Sequence, residues 1–188
     1  IFICDTGSGL VVSPNIPEEY LEVILQRKIN VRIGEKPLGF EYPATSYYNA
    51  VVTEKYLVHN LKYTDTNILD ECHDKIHLHT NQAYTRCNLI PLGENNFITS
   101  DKNIEKVLLK EKQNVLYTSP EYIILPGFPH GFFGGCCGVF MKKLFIAGNM
   151  KYYKSKDIVI EFAKSCGMEI IELYDGRLFD AGGIFFIS

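Results

Sequence analysis

The chain has 188 residues, 46% of them hydrophobic and 22% charged, with a net charge of −3. This balance fits one soluble globular domain with a substantial core, and the interspersed charges leave no basic stripe for nucleic acid. No apolar run approaches the roughly 18 residues that span a membrane. The first five residues, Ile1-Phe2-Ile3-Cys4-Asp5, have the wrong length and flanks for a signal peptide. Six cysteines without framework-like spacing point to reduced thiols and a cytoplasmic setting.

Ile1–Cys4 reads as a strand, Gly7-Ser8-Gly9 as a turn, and Leu10–Ser13 as a second strand closed by Pro14. Pro17-Glu18-Glu19 opens a helix with Leu21, Ile24 and Leu25 on one face. Ile29–Ile33 is a strand, and 35–46 is a loop with two prolines and a glycine. Tyr47–Thr53 and Tyr56–His59 are strands around a Glu54-Lys55 turn, followed by a short helix near Asp65–Cys72 and a strand at Lys75–His79. Arg86–Leu92 and Phe97–Thr99 flank a Gly93-Glu94-Asn95 turn. Ser100 or Asp101 caps a helix to about Lys112, and Asn114–Thr118 is a strand. After a Pro/Gly loop at 126–130, Gly131–Asn149 reads as a strand, a Met141-Lys142-Lys143 turn and a second strand. A helix from about Lys156 to Ser165 is stopped by Gly167, and strands follow at Met168–Leu173 and Gly183–Ile187.

The short strands beginning at Leu10, Tyr56, Asn96 and Leu144 recur at about 40 to 48 residues. Each is followed by helix, strand, loop and a longer strand. A repeat of this period predicts units that bury their apolar faces against neighbours. Ile1–Cys4 reads as the last strand of a preceding unit, so we expect four full units plus an orphan strand, in a single domain over 1–188 that lacks an N-terminal unit.

Several phrases carry a resemblance. They are Val11-Val12-Ser13-Pro14-Asn15, Tyr47-Tyr48-Asn49-Ala50, Tyr84-Thr85-Arg86-Cys87, Ile98-Thr99-Ser100-Asp101, Gly131-Phe132-Phe133-Gly134-Gly135 and Leu178-Phe179-Asp180-Ala181-Gly182-Gly183. Together with the repeat they resemble an uncharacterised bacterial family with the pentein, or guanidine-modifying-enzyme, fold. That resemblance implies an α/β propeller, a pseudo-symmetric ring of strand–strand–helix–strand units with helices outside and a small-molecule cavity on the axis.

In such a ring the residues opening the long strands line the cavity: Asn49, Arg86 with Cys87, Gly135 with Cys136, and Asp180. Arg86 can clamp a carboxylate with its fork of donors, and Asp180 can pair a guanidinium or pair Arg86 itself. Cys87, Cys136 or Cys137 could serve as a nucleophile if Arg86 or His130 stabilises its thiolate. A buried cysteine also packs as a small hydrophobe, and His130 lies in a loop where a histidine is commonly solvated. Catalytic penteins carry their nucleophilic cysteine in the last unit, and the matching segment 182–187 has none. His77 and His79 share a strand face near Cys72 and His73, but the spacing matches no zinc signature. The expectation is therefore a module binding a small carboxylate or guanidino compound, with no cofactor, metal, nucleic-acid or membrane partner. A cysteine-dependent amidino or amide hydrolase using Cys136 or Cys87 is the alternative.

Overall fold

The computed structural model describes residues 1–93 and 95–186. The chain divides into two compact units, residues 1–85 and residues 86–186. The first holds β1 (Ile3–Asp5), β2 (Leu10–Val12), α1 (Glu18–Gln26) and β3 (Val31–Ile33), then β4 (Val51–Val52), β5 (Tyr56–His59), α2 (Thr66–Glu71) and β6 (Ile76–His79). A helical turn, α3 (Thr85–Asn88), leads into the second unit. There follow β7 (Leu89–Pro91), β8 (Asn96–Thr99), α4 (Lys102–Lys110), β9 (Asn114–Tyr117), β10 (Cys137–Phe140), β11 (Lys143–Ile146), α5 (Lys156–Ser165) and β12 (Glu169–Glu172).

These elements form four three-stranded sheets in the orders β1-β2-β3, β4-β5-β6, β7-β8-β9 and β10-β11-β12. Every sheet repeats one pattern: an antiparallel hairpin, then a helical crossover to a parallel third strand. The hydrophobic strands whose spacing revealed the repeat are the central ones. A central strand is covered on both edges and packs on both faces, so it reads as an apolar run. Leu10, Val11 and Val12 are buried in β2, and Tyr56 to His59 are wholly buried in β5.

Capping sets the helix ends. The Asp101 carboxylate accepts from the N–H groups of Asn103 and Ile104 at 2.8 and 2.9 Å, while α4 buries Ile104 and Leu108. At the end of α5, Gly167 takes φ +71 and the Met168 N–H reaches back to the Ala163 carbonyl at 2.9 Å. That is a Schellman stop, which the glycine makes free of Cβ strain. In the second unit Phe133, Cys136, Cys137, Leu144, Ile146, Val159 and Ala163 share one core. In the first, Cys4, Val11, Tyr48, Leu57, Ile68 and Cys72 share another.

Several sequence expectations change in detail. The N-terminal strand is part of the first sheet: β1 pairs antiparallel with β2, Ile3 opposite Val12. Arg86 and Cys87 lie in α3, and Gly135 and Cys136 in a 3-10 turn over Gly134–Cys136, so none of them opens a strand. Ahead of α3 the Tyr84 N–H bonds the Gln82 side chain and the Thr85 hydroxyl bonds the Gln82 carbonyl, and such local bonds compete with a strand ladder. Tyr47–Thr53 shrinks to Val51–Val52, because the Asn49 N–H closes a turn on the Ser46 carbonyl at 2.9 Å. Residues 183–186 make no ladder, although the Ile184 N–H bonds the Cys137 carbonyl at 2.9 Å; Ile187 and the Glu94 of the Gly93–Asn95 turn lie outside the described residues.

The β10–β11 hairpin turns on two residues rather than three. Met141 and Lys142 take φ +48 and +58, and Lys143 already pairs in β11 opposite Phe140. Positive φ at both loop positions is the type I′ turn whose twist matches the strands, and Asn-Gly suits it better than Met-Lys. Replacing Met141-Lys142 by Asn-Gly should raise stability by about 0.5–1 kcal/mol. In urea titration this appears as a higher midpoint at an unchanged slope; a lower midpoint would mean that the native residues carry no strain there.

Candidate functional site

Five of the residues singled out in the sequence, Arg86, Cys87, His130, Cys136 and Asp180, lie in the second unit, while Asn49 lies in the first. The second-unit site is built on Asp180. The residue is 5% exposed. One oxygen, Oδ2, accepts the Phe132 N–H at 2.8 Å, and Oδ1 accepts the Gly182 N–H at 2.9 Å. Burial raises the Asp180 pKa, and the two amide bonds work against that rise.

Glycines make room for this carboxylate. A Cβ on Gly135 would stand 2.0 Å from Asp180 Oδ1, and one on Gly131 would stand 2.6 Å from the Asp180 Cβ. Gly134 faces the other way, its absent Cβ 2.5 Å from the Arg86 carbonyl oxygen and 2.8 Å from that of Cys87. The glycine-rich stretch 131–135 thus allows the backbone to close on two neighbours at once. The Gly183 N–H completes the arrangement by bonding the Gly135 carbonyl at 2.8 Å.

Arg86 is oriented by the segment that follows Gly183. Its Nη2 donates to the Ile184 carbonyl at 2.7 Å, and its guanidinium carbon lies 4.9 Å from the centre of the Phe185 ring. A Cβ on Gly183 would come within 2.9 Å of Arg86 Nη1. The side chain is therefore sandwiched against residues 183–185 and remains half-buried. Sequence reasoning missed Ile184 and Phe185 as its partners. The available signal was Gly182-Gly183 before an aromatic run, where two glycines let a following ring fold back.

The cysteines converge on the same region. Cys136 and Cys137 are fully buried and Cys87 nearly so. Cys136 Sγ donates to the Phe132 carbonyl at 3.3 Å, and Cys87 Sγ points to the Gly182 carbonyl at 3.9 Å. Burial pushes the Cys136 and Cys137 thiols well up; Arg86 pulls Cys137 down by a smaller amount, and Asp180 pushes both further up. A thiolate at Cys136 would face a carbonyl oxygen in a dry site. That environment holds the proton on sulfur. His130 is half-buried, with Nδ1 bonded to the Gly131 carbonyl at 2.9 Å and its ring edge-on to Phe132.

In the first unit Asn49 is buried, and the histidine strand spends its ring nitrogens on the main chain. His77 Nε2 bonds the Cys72 carbonyl at 2.8 Å, and His79 Nδ1 accepts the Leu61 N–H at 3.2 Å. Among the described residues no three His, Cys, Asp or Glu side chains are grouped to hold a metal ion. The histidine that sequence reasoning passed over is His59. It is fully buried in β5, donating from Nε2 to the Ala83 carbonyl at 2.7 Å and accepting the Thr64 hydroxyl at Nδ1, 2.8 Å away. Burial lowers its pKa to about 4, with Lys36 and His79 adding repulsion.

Two predictions follow from this packing. Gly135→Ala drives a methyl into the Asp180 carboxylate and should cost about 3 kcal/mol, whereas Gly167→Ala, with open space around it, should cost only about 1 kcal/mol of φ strain. Equal urea midpoints for the two variants would refute the cradle. His59, with a folded pKa near 4 against 6.5 unfolded, makes the unfolded chain bind the proton first. Its contribution is complete above about pH 6.5 and is lost as pH falls towards 4, amounting to about 3 kcal/mol. His59→Gln should flatten the stability profile across that window, and an unchanged slope would show that another group titrates there.

With this geometry in place, comparison with known proteins shows where the fold recurs. Dimethylarginine dimethylaminohydrolase (DDAH) from Pseudomonas aeruginosa, a cysteine-to-serine mutant complexed with citrulline, matches with a TM-score of 0.56 at 12% identity, over 91% of this chain and 66% of that one. SxtG, an amidinotransferase from Microseira wollei in the saxitoxin biosynthetic pathway, matches with a TM-score of 0.58 at 10% identity, over 99% and 66%. Agmatine deiminase from C. jejuni with substrate bound matches with a TM-score of 0.56 at 10% identity, over 93% and 67%. The chain spans about two thirds of the length of these pentein-fold enzymes, and at such identities the likeness is one of fold. No curated protein matches the sequence. A family model covers residues 1–185, and on that match the chain belongs to the family of unknown function DUF6873.

Proposed function

We propose that this protein is a pentein-type module that binds a small carboxylate or guanidino compound without cysteine chemistry. The observation that carries this reading is the state of the thiols. Cys136 and Cys137 are fully buried, their pKa values are pushed up, and the Cys136 thiol points at a carbonyl. A nucleophilic cysteine needs donors around sulfur and access to substrate, and this packing offers neither.

Arg86 supplies the ligand contact in this reading. Stacking on Phe185 and the bond to Ile184 hold its guanidinium in one orientation. A pre-oriented fork loses little entropy when it takes up a carboxylate. Asp180 acts as a positioning group, because its two oxygens already accept the amides of Phe132 and Gly182. The hydrolase reading retains one support, the likeness of fold to an amidinotransferase and a deiminase. It would require Cys87 or Cys136 to become ionised and reachable.

Calorimetric titration with citrulline and with agmatine separates the readings. Binding of citrulline should weaken at least about tenfold in both Arg86→Ala and Arg86→Lys, since lysine keeps the charge and loses the fork. No saturable binding of either compound, or equal affinity in all three proteins, would overturn the proposal. Alkylation of the native protein by iodoacetamide near neutral pH should mark Cys166, the half-exposed thiol, ahead of the five buried ones. Faster modification of Cys87 or Cys136, located by peptide mass mapping, would favour the hydrolase instead.

A further inference from the structure

A cleft lies in the second unit, lined by none of the residues of the Arg86 site. Its volume is about 420 Å³, and it is lined by Tyr122, Lys151, Tyr152, Tyr153, Lys154 and Lys156. From these residues we infer a binding site for a phosphate ester carried on a planar ring, of the nucleoside monophosphate class.

Three observations converge on that chemistry. The first is charge. Three lysines fall within six residues of a chain whose net charge is −3. Lys151 pairs with Asp175, whereas Lys154 and Lys156 have no ion pair among the described residues. Both line the same cleft, so their positive charge attracts an anion there. Asp157 in the first turn of α5 is the other carboxylate close in sequence.

The second is the aromatic surface. Tyr122 and Tyr152 are 56% and 45% exposed although both line a concavity. Lys151 Nζ lies 4.8 Å from the centre of the Tyr152 ring. Exposed rings beside cations suit a flat ring bearing negative charge, because stacking and charge attraction act on different ends of one ligand.

The third is rigidity and strain. Tyr122 adopts φ +70, a left-handed conformation costly for a bulky residue, and Arg177 Nη2 bonds its carbonyl at 2.9 Å. On the other wall, the Asn149 side chain caps the Lys151 N–H at 2.9 Å and Glu172 accepts the Met150 N–H at 2.7 Å. Tyr153 forms the floor, 3% exposed, with its hydroxyl bonded to Thr118 and to the Ser119 carbonyl. The walls are thus held before any ligand arrives.

The test is titration of the intact chain with AMP, inorganic phosphate and adenosine, followed by NMR or calorimetry. AMP should bind saturably, at least about tenfold tighter than either phosphate or adenosine, and more weakly as salt is raised. The Lys154→Ala/Lys156→Ala double variant should lose at least about tenfold in AMP affinity with an unchanged melting temperature, Lys154 being exposed and Lys156 partly exposed. Tyr152→Leu should remove the preference of AMP over phosphate while leaving phosphate binding intact. No saturable AMP binding by 10 mM (about the weak end of useful affinity), AMP no tighter than phosphate, or unaltered affinity in the double variant would each overturn the inference.

Discussion

A buried carboxylate, Asp180, held by two main-chain amides is the constraint around which the second unit is arranged. Taking Asp180 out of water carries a desolvation penalty, and the amides of Phe132 and Gly182 offset part of it. Each amide belongs to a different loop, so one side chain fixes both. Only glycine at 131 and 135 lets those loops approach the carboxylate closely enough. Glycine content, acid burial and loop position are therefore one feature seen three ways.

From that anchor the neighbouring chemistry is determined. The loop held at Phe132 presents its carbonyl to the Cys136 thiol, and the segment held at Gly182 carries Ile184 and Phe185 to Arg86. The acid, the guanidinium and the thiols all lie in one unit, and main-chain groups contact Asp180, Arg86, Cys87 and Cys136. Asp180 and Arg86 are both held in place by main-chain groups.

The four hairpin–helix–strand sheets show how a repeat meets different local demands. The central strands β2, β5, β8 and β11 keep their apolar character, because each is hydrogen-bonded on both edges. The connections vary instead. Met141-Lys142 makes a two-residue turn with positive φ, whereas the stretch ahead of β4 coils through turns at Ser46 and Asn49. Variation accumulates where the backbone leaves the ladder, and there the candidate ligand-contacting groups also sit.

The sequence by itself determined the repeat, the order of elements, the helix caps at Asp101 and Gly167, and the resemblance to the pentein fold. Those are local or periodic properties: the spacing of apolar runs, a carboxylate before a helix, a glycine after one. It also singled out Arg86, Cys87, Cys136 and Asp180, since charged residues and thiols beside glycines mark irregular backbone. Only the tertiary structure decided what those groups do to each other. The sequence left Arg86 as a carboxylate clamp or a partner of Asp180; the structure shows two amides on the acid and the Phe185 ring against the guanidinium. The short extent of β4 and β7, and the buried state of His59, were equally hidden. Side-chain bonds to main-chain groups depend on angles of a few degrees and distances of a few tenths of an ångström. Residue order along the chain does not encode them one position at a time; the packed neighbours do.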